Sequence, residues 1–172
     1  MTLAPIAILC REPLSAWQTE RLRRIDRAAD HLSGPLEAGA AEQRLRERHA
    51  GTLVVVAEHN PVLRELLQAL LEQAGLRVYR ASTGVEAFSY TLQHAPALLL
   101  LDMELPQNGG VAAARAVRSM AQKTVPILAM LSSDAPLHAS RALDADLDDV
   151  LDKPVLAHSL YEKVLSWLES RP

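Results

Sequence analysis

The chain has 172 residues, 49% of them hydrophobic, which suits one domain with an appendage, or at most two small domains, with a real core. Its 18 basic and 21 acidic side chains leave a formal net charge of −3, too weak a field to draw the protein onto nucleic acid or an anionic membrane. Cys10 is single, which excludes an internal disulfide or a cysteine metal cage and fits a reducing cytoplasm; the apolar stretch 3–10 is far shorter than the ~20 residues of a membrane span, and no basic segment precedes it as in a signal peptide.

Residues 14–49 are charged, Arg-rich and helical in pattern, with breaks expected at Ser33-Gly34-Pro35 and at Gly39. Ser15 is placed to cap a helix starting near Ala16. Leu22, Ile25, Ala29, Leu32 and Leu36 then recur at steps of three and four, the seam of a short coiled coil. So short a seam is unstable alone. It is expected to pack on a second copy, giving a homodimer, or on the rest of the chain. The organisation expected is a helical extension over 1–50 and a second domain over 51–172.

From Thr52 strand and helix alternate. Residues 53–57 are a continuous apolar, β-branched run, and Asn60-Pro61 supplies an N-cap and a first-turn proline for a helix over 62–74, closed by Gly75. The pattern then predicts a strand over 76–81, a helix over 85–94, a strand over 97–101 and a helix over 111–120. A strand over 125–131, a helix near 136–143, a strand around 149–151 and a helix over 155–169 complete it. Such alternation means an α/β domain with a parallel sheet covered on both faces. The ligand site of that architecture lies at the carboxyl ends of the strands, where the strand order reverses.

The residues just after the strands are Glu58 and His59, Asp102, then Ser132, Ser133 and Asp134, and finally Lys153. A carboxylate at a buried strand end, with a lysine opposite and another acid beside it, is suited to accepting a phosphoryl group. The carboxylate attacks phosphorus while cations neutralise the phosphoryl oxygens.

Three segments together resemble the response-regulator receiver domain. Glu58-His59-Asn60-Pro61 is similar to its acidic turn, residues 98–106 with Gly109-Gly110 to its phosphoacceptor strand and following loop, and Asp148-Asp149-Val150-Leu151-Asp152-Lys153-Pro154 to its Lys-Pro turn. The resemblance covers residues 52–169. It implies a flavodoxin-like (βα)5 fold, a doubly wound five-stranded parallel sheet of order 2-1-3-4-5. It also implies a role in bacterial two-component or phosphorelay signalling, with a histidine kinase or phosphotransfer protein as partner. By the same resemblance Asp102 is the phosphoacceptor, Lys153 binds the phosphoryl group, and Glu58, Asp102 and the backbone of Glu104 are the metal ligands.

Departures from the family pattern define the rest. His59 stands where the family has a ligating Asp. Mg²⁺ takes hard oxygen ligands, whereas imidazole suits transition metals, so Mg²⁺ is expected to bind weakly and no other cofactor is expected. The family's switch hydroxyl falls on Leu131, with Ser132 able to replace it only by a one-residue shift, and Val150 stands where the family usually has an aromatic. The site is therefore an atypical one. Residues 13–39, with Gln18, Leu22, Ile25, Ala28, His31 and Glu37-Ala38-Gly39, are similar to the second helix of the dimerisation and phosphotransfer domain of hybrid sensor kinases. The phosphorylated His-Glu-x-x-x-Pro motif is missing, and residues 40–52 leave no room for an ATP-binding domain, so no kinase activity is expected. With no output domain after Pro172, output is expected through protein contacts.

Two other readings compete. An aspartate-nucleophile phosphohydrolase would use Asp102-Met103-Glu104 as nucleophile and acid, but its acidic pair normally follows the first strand, where Glu58-His59 stands. A flavin site would need small hydroxyl and glycine residues after the first strand, which Glu58-His59-Asn60-Pro61 does not supply.

Overall fold

The apolar runs form strands because they are β-branched or leucine-rich and lie between turn residues. A computed structural model of the protein describes residues 35–120, 125–132 and 147–170, all within a compact unit spanning residues 33–172. The Leu22, Ile25, Ala29 and Leu32 seam, Ser133, Asp134 and the helix expected near 136–143 lie outside the described residues.

In chain order the elements are α1 (Pro35–Arg48), β1 (Leu53–Ala57), α2 (Pro61–Gln73), β2 (Arg77–Ala81), α3 (Gly84–His94), β3 (Leu98–Asp102), a 3₁₀ turn (Pro106–Asn108), α4 (Gly109–Ser119), β4 (Ile127–Ser132), β5 (Asp149–Lys153) and α5 (Ala157–Glu169). The strands form one parallel sheet of order β2-β1-β3-β4-β5. Order therefore reverses between β1 and β3, which opens a crevice at their carboxyl ends. Period-two alternation divides the core. Val54, Val56, Leu98, Leu100, Leu128 and Met130 face α2 and α5 through Leu67, Leu71, Leu160 and Val164. Val55, Leu99, Leu101, Ile127 and Ala129 face the other layer, with Ala87 of α3 and Ala113, Ala114 and Val117 of α4.

Local chemistry sets the helix starts. Asn60 Oδ1 accepts from the Val62 amide at 3.0 Å, with Pro61 beginning the first turn of α2. Thr83 accepts from the Glu86 amide at 3.2 Å, and the Glu86 carboxylate accepts from the Ser82 amide at 2.8 Å. Helix α4 starts at Gly109, two residues earlier than expected. A Cβ on Gly110 would lie 2.4 Å from the Asp102 carbonyl oxygen, so only glycine lets this helix pack beneath the end of β3.

Helix α1 runs unbroken through Gly39, where a break was expected. The reason is tertiary. Ala41 and Leu45 are buried in the same core layer as Leu71 and Leu168, and packing of this kind outweighs the ~1 kcal/mol helix penalty of one glycine. Full burial of Leu45 contributes roughly 1.5–3 kcal/mol. Around it, Arg44 and Arg48 reach Glu169 at 2.8 and 3.1 Å, exposed pairs worth about 0–1 kcal/mol each. No helix among the described residues is long and apolar enough to cross a membrane.

Candidate functional site

Each strand of the crevice delivers one charged side chain at its carboxyl end. Glu58 follows β1, Asp102 ends β3 and Lys153 ends β5. The sequence reading set Asp102, Ser132 and Lys153 just beyond their strands; the ladder includes them as last residues, which fixes their backbone more firmly. Met130 pairs with Asp102 and Leu151, and Ser132 pairs with Lys153. The Lys153–Pro154 peptide is cis.

These side chains close into a ring. Asp102 and Glu58 are fully buried. Lys153 Nζ lies 2.9 Å from Asp102 Oδ1 and 3.0 Å from Glu58 Oε2. On the opposite side His59 Nδ1 lies 2.7 Å from Asp102 Oδ2 and 3.1 Å from Glu58 Oε1. Each carboxylate thus gives one oxygen to the lysine and the other to the imidazole. The Glu104 amide donates to Asp102 Oδ1 at 2.9 Å, and the Asn60 amide donates to Glu58 Oε1 at 2.8 Å. His59 is about half exposed, so the ring opens to solvent at that residue.

Burial pushes the Asp102 carboxyl up, but the Lys153 ammonium, the Glu104 amide and His59 outweigh it and hold the pKa below its ordinary value. Burial likewise pushes Lys153 down, while Asp102 and Glu58 together leave it raised. Asp102 is therefore an anion and Lys153 a cation at neutral pH. An anionic carboxylate at a strand end, with a fixed ammonium beside it, has the nucleophile and the phosphoryl-oxygen partner that aspartyl phosphorylation needs.

The positions that the resemblance marks as switches differ in surroundings. Leu131 is buried and Val150 half-buried, both against the α4-side core. The Ser132 hydroxyl donates to Glu104 Oε2 at 2.9 Å, and Lys153 Nζ lies 3.8 Å from that same oxygen. The Glu104 carboxylate, expected as an acid only in the phosphohydrolase reading, stands beside Ser132 and Lys153; its i, i+2 spacing from Asp102 in a turn was the available signal for that placing. Sequence reasoning also missed the placing of Asp148 and Asp149. Asp148 accepts from the Ile127 amide at 2.7 Å and pairs with Arg118, while Asp149 is held by Lys163 and Trp167.

Glu58, His59 and Asp102 offer ligand atoms within 4.8 Å of one another. The family resemblance implies Mg²⁺ here, and this donor set suits it poorly. Mg²⁺ demands a near-octahedral shell of hard oxygens, whereas one of these three donors is an imidazole nitrogen seated between both carboxylates. The cluster is a degenerate one, with weakened capacity for Mg²⁺.

Comparison with known proteins agrees with the geometry. The family model described as response regulator receiver domain matches residues 54–165. The chain is 29% identical over 125 residues to the CAI-1 autoinducer sensor kinase/phosphatase CqsS of Vibrio cholerae, an alignment covering 72% of this chain but only 18% of that protein. Among solved structures it resembles the receiver domain of sensor histidine kinase PA1611 of Pseudomonas aeruginosa, which has magnesium coordinated in its active-site cleft. The TM-score is 0.66 at 27% identity, covering 70% of this chain and 100% of that one. It also resembles a Saccharomyces cerevisiae response-regulator receiver domain co-crystallised with a histidine phosphotransfer signalling protein, with TM-score 0.64 at 25% identity, covering 69% and 89%.

Proposed function

The chain belongs to the response regulator receiver domain family, and we propose on that premise that Asp102 is its phosphoacceptor, charged by a histidine kinase or a histidine phosphotransfer protein. The single observation that carries this is the buried Asp102 carboxylate at the end of β3, in ion contact with Lys153 at 2.9 Å. In this reading Lys153 receives the phosphoryl oxygens, and Glu58 supplies the outer acid. His59 contacts the oxygen of Asp102 that Lys153 leaves open, so attack requires His59 to move aside. Phosphorylation is accordingly slow.

Coupling to the surface is altered as well. Leu131 has no hydroxyl to follow the phosphoryl group, and Ser132 is already bonded to Glu104. Val150 carries no aromatic ring to swing inward. The output is a contact with another signalling protein rather than a large rearrangement, in a cytoplasmic setting consistent with the single Cys10 and with no nucleic-acid or membrane partner. The Leu22, Ile25, Ala29 and Leu32 stripe is the proposed dimerisation element.

Mass spectrometry of the full chain after treatment with an acyl-phosphate donor tests the acceptor assignment. One phosphoryl group is expected on wild type after long incubation and none on Asp102→Asn; labelling that survives Asp102→Asn sinks the assignment. Steady-state turnover of a generic phosphoester would instead favour an aspartate-nucleophile phosphohydrolase.

A further inference from the structure

We infer that the Glu58, His59 and Asp102 pocket selects a first-row transition-metal dication over magnesium, with His59 Nδ1, Asp102 Oδ2 and Glu58 Oε1 as its ligands. The inference deepens the reading of this pocket, yet it does not require that Asp102 be phosphorylated.

The geometry is close to that of a coordination face. Metal–ligand bonds of about 2.0–2.2 Å to nitrogen and oxygen place neighbouring ligand atoms roughly 2.9–3.5 Å apart. His59 Nδ1 already lies 2.7 Å from Asp102 Oδ2 and 3.1 Å from Glu58 Oε1, and all three donors fall within 4.8 Å. An ion entering at the exposed imidazole would displace only the Nδ1 proton, which passes to Nε2 or to buffer. The other two carboxylate oxygens stay on Lys153, at 2.9 and 3.0 Å. Glu58 Oε2 is fully buried, its charge met by that lysine contact. With Arg64 donating to the Glu58 carbonyl at 2.7 Å and the Glu104 carboxylate 3.8 Å from Lys153, three carboxylates meet two fixed cations, and the excess negative charge faces the imidazole, which is the electrostatic requirement for a cation there.

Ligand chemistry sets the selectivity. One imidazole and two carboxylates suit Zn²⁺ and Co²⁺, and affinity rises along the first-row series towards copper. Mg²⁺ gains little from a nitrogen ligand and keeps its water shell.

The test is isothermal titration calorimetry of the full chain with ZnCl₂ and with MgCl₂, supported by the visible absorption of bound Co²⁺. Because oxygen sites also favour zinc, the deciding quantity is the ratio of the two affinities. His59→Ala and His59→Asp are each expected to lower the zinc-to-magnesium ratio about tenfold or more, and the Co²⁺ bands are expected to shift when the nitrogen ligand is lost. If His59→Ala fails to fold by circular dichroism, the His59→Asp ratio decides, since that change restores an oxygen ligand at the same position. An unchanged ratio in the folded variants would overturn the inference and place the zinc on other histidines or Cys10. No phosphodonor is used, so failure of Asp102 as an acceptor would leave this result standing.

Discussion

Asp149 and Asp102 are both buried beside a lysine, and they do opposite things. Asp149 gives one oxygen to Lys163 Nζ at 2.9 Å and the Val150 amide at 2.7 Å, and the other to Trp167 Nε1 at 2.9 Å. One negative charge meets one positive charge, with neutral donors filling the remaining lone pairs. Asp102 shares its lysine with Glu58, so two negative charges meet one ammonium, and the balance falls on a half-exposed imidazole. The first arrangement is a clasp tying β5 to α5. The second leaves an excess of negative charge at the mouth of the crevice, an imbalance that the clasp does not carry.

Removing the lysine should break this contrast most severely. Lys153→Met leaves two buried carboxylates without their ammonium, a loss of about 3–5 kcal/mol at neutral pH by urea denaturation. The sign with pH follows from Asp102. Its folded pKa is depressed, so its pairing with Lys153 stabilises fully above the ordinary carboxylate range and the contribution fades as pH falls through the depressed value. The gap between wild type and Lys153→Met should therefore narrow in acid. A gap that widens there would mean the carboxylates are not the groups at stake.

Asp149→Ala should come next, at about 3 kcal/mol, because it strands a partly buried lysine and an indole N–H. Phosphodonor labelling at Asp102 should be unaffected, since the clasp lies at the opposite end of β5. Asp102→Asn should cost only about 1 kcal/mol, since it gives up the favourable ionised carboxylate but keeps the shape of the side chain and leaves Glu58 to meet the ammonium. If it proves as damaging as Asp149→Ala, the two carboxylates are equivalent and the comparison fails. The smallest effect is expected at Glu86, whose carboxyl is held down chiefly by the Ser82 amide. Glu86→Gln should cost a few tenths of a kcal/mol at neutral pH and nothing once pH has fallen through the depressed folded pKa of Glu86.

Much of the site was legible because it is built from strand ends. Asp102 and Lys153 are chemically conspicuous after leucine-rich or β-branched runs, and Asn60-Pro61 announces both the turn holding Glu58 and the helix behind it. What escaped was what only three dimensions supply. The closeness of His59 to both carboxylates depends on how the β1–α2 turn folds back, which residue type does not reveal. Helix α1 lies in a stretch read as helical, but its continuity through Gly39 and its packing on the core escaped for another reason. Over residues 39–48 it buries only Ala41 and Leu45, among arginine, glutamate and glutamine side chains, so its apolar stripe is too thin to read, and Gly39 looked like a break. Asp149 was read as part of a motif, because its partners Lys163 and Trp167 lie 14 and 18 residues away on another element.

The central claim is that Asp102 is an acceptor restrained by the histidine beside it. The rate of phosphodonor labelling in Mg²⁺, followed by mass spectrometry for wild type and His59→Asp, tests it most directly. Slow labelling of wild type is expected, with a rise of about tenfold or more in His59→Asp, where an oxygen ligand replaces the imidazole and Oδ2 of Asp102 is released. Rapid Mg²⁺-dependent labelling of wild type, unchanged by His59→Asp, would contradict the account.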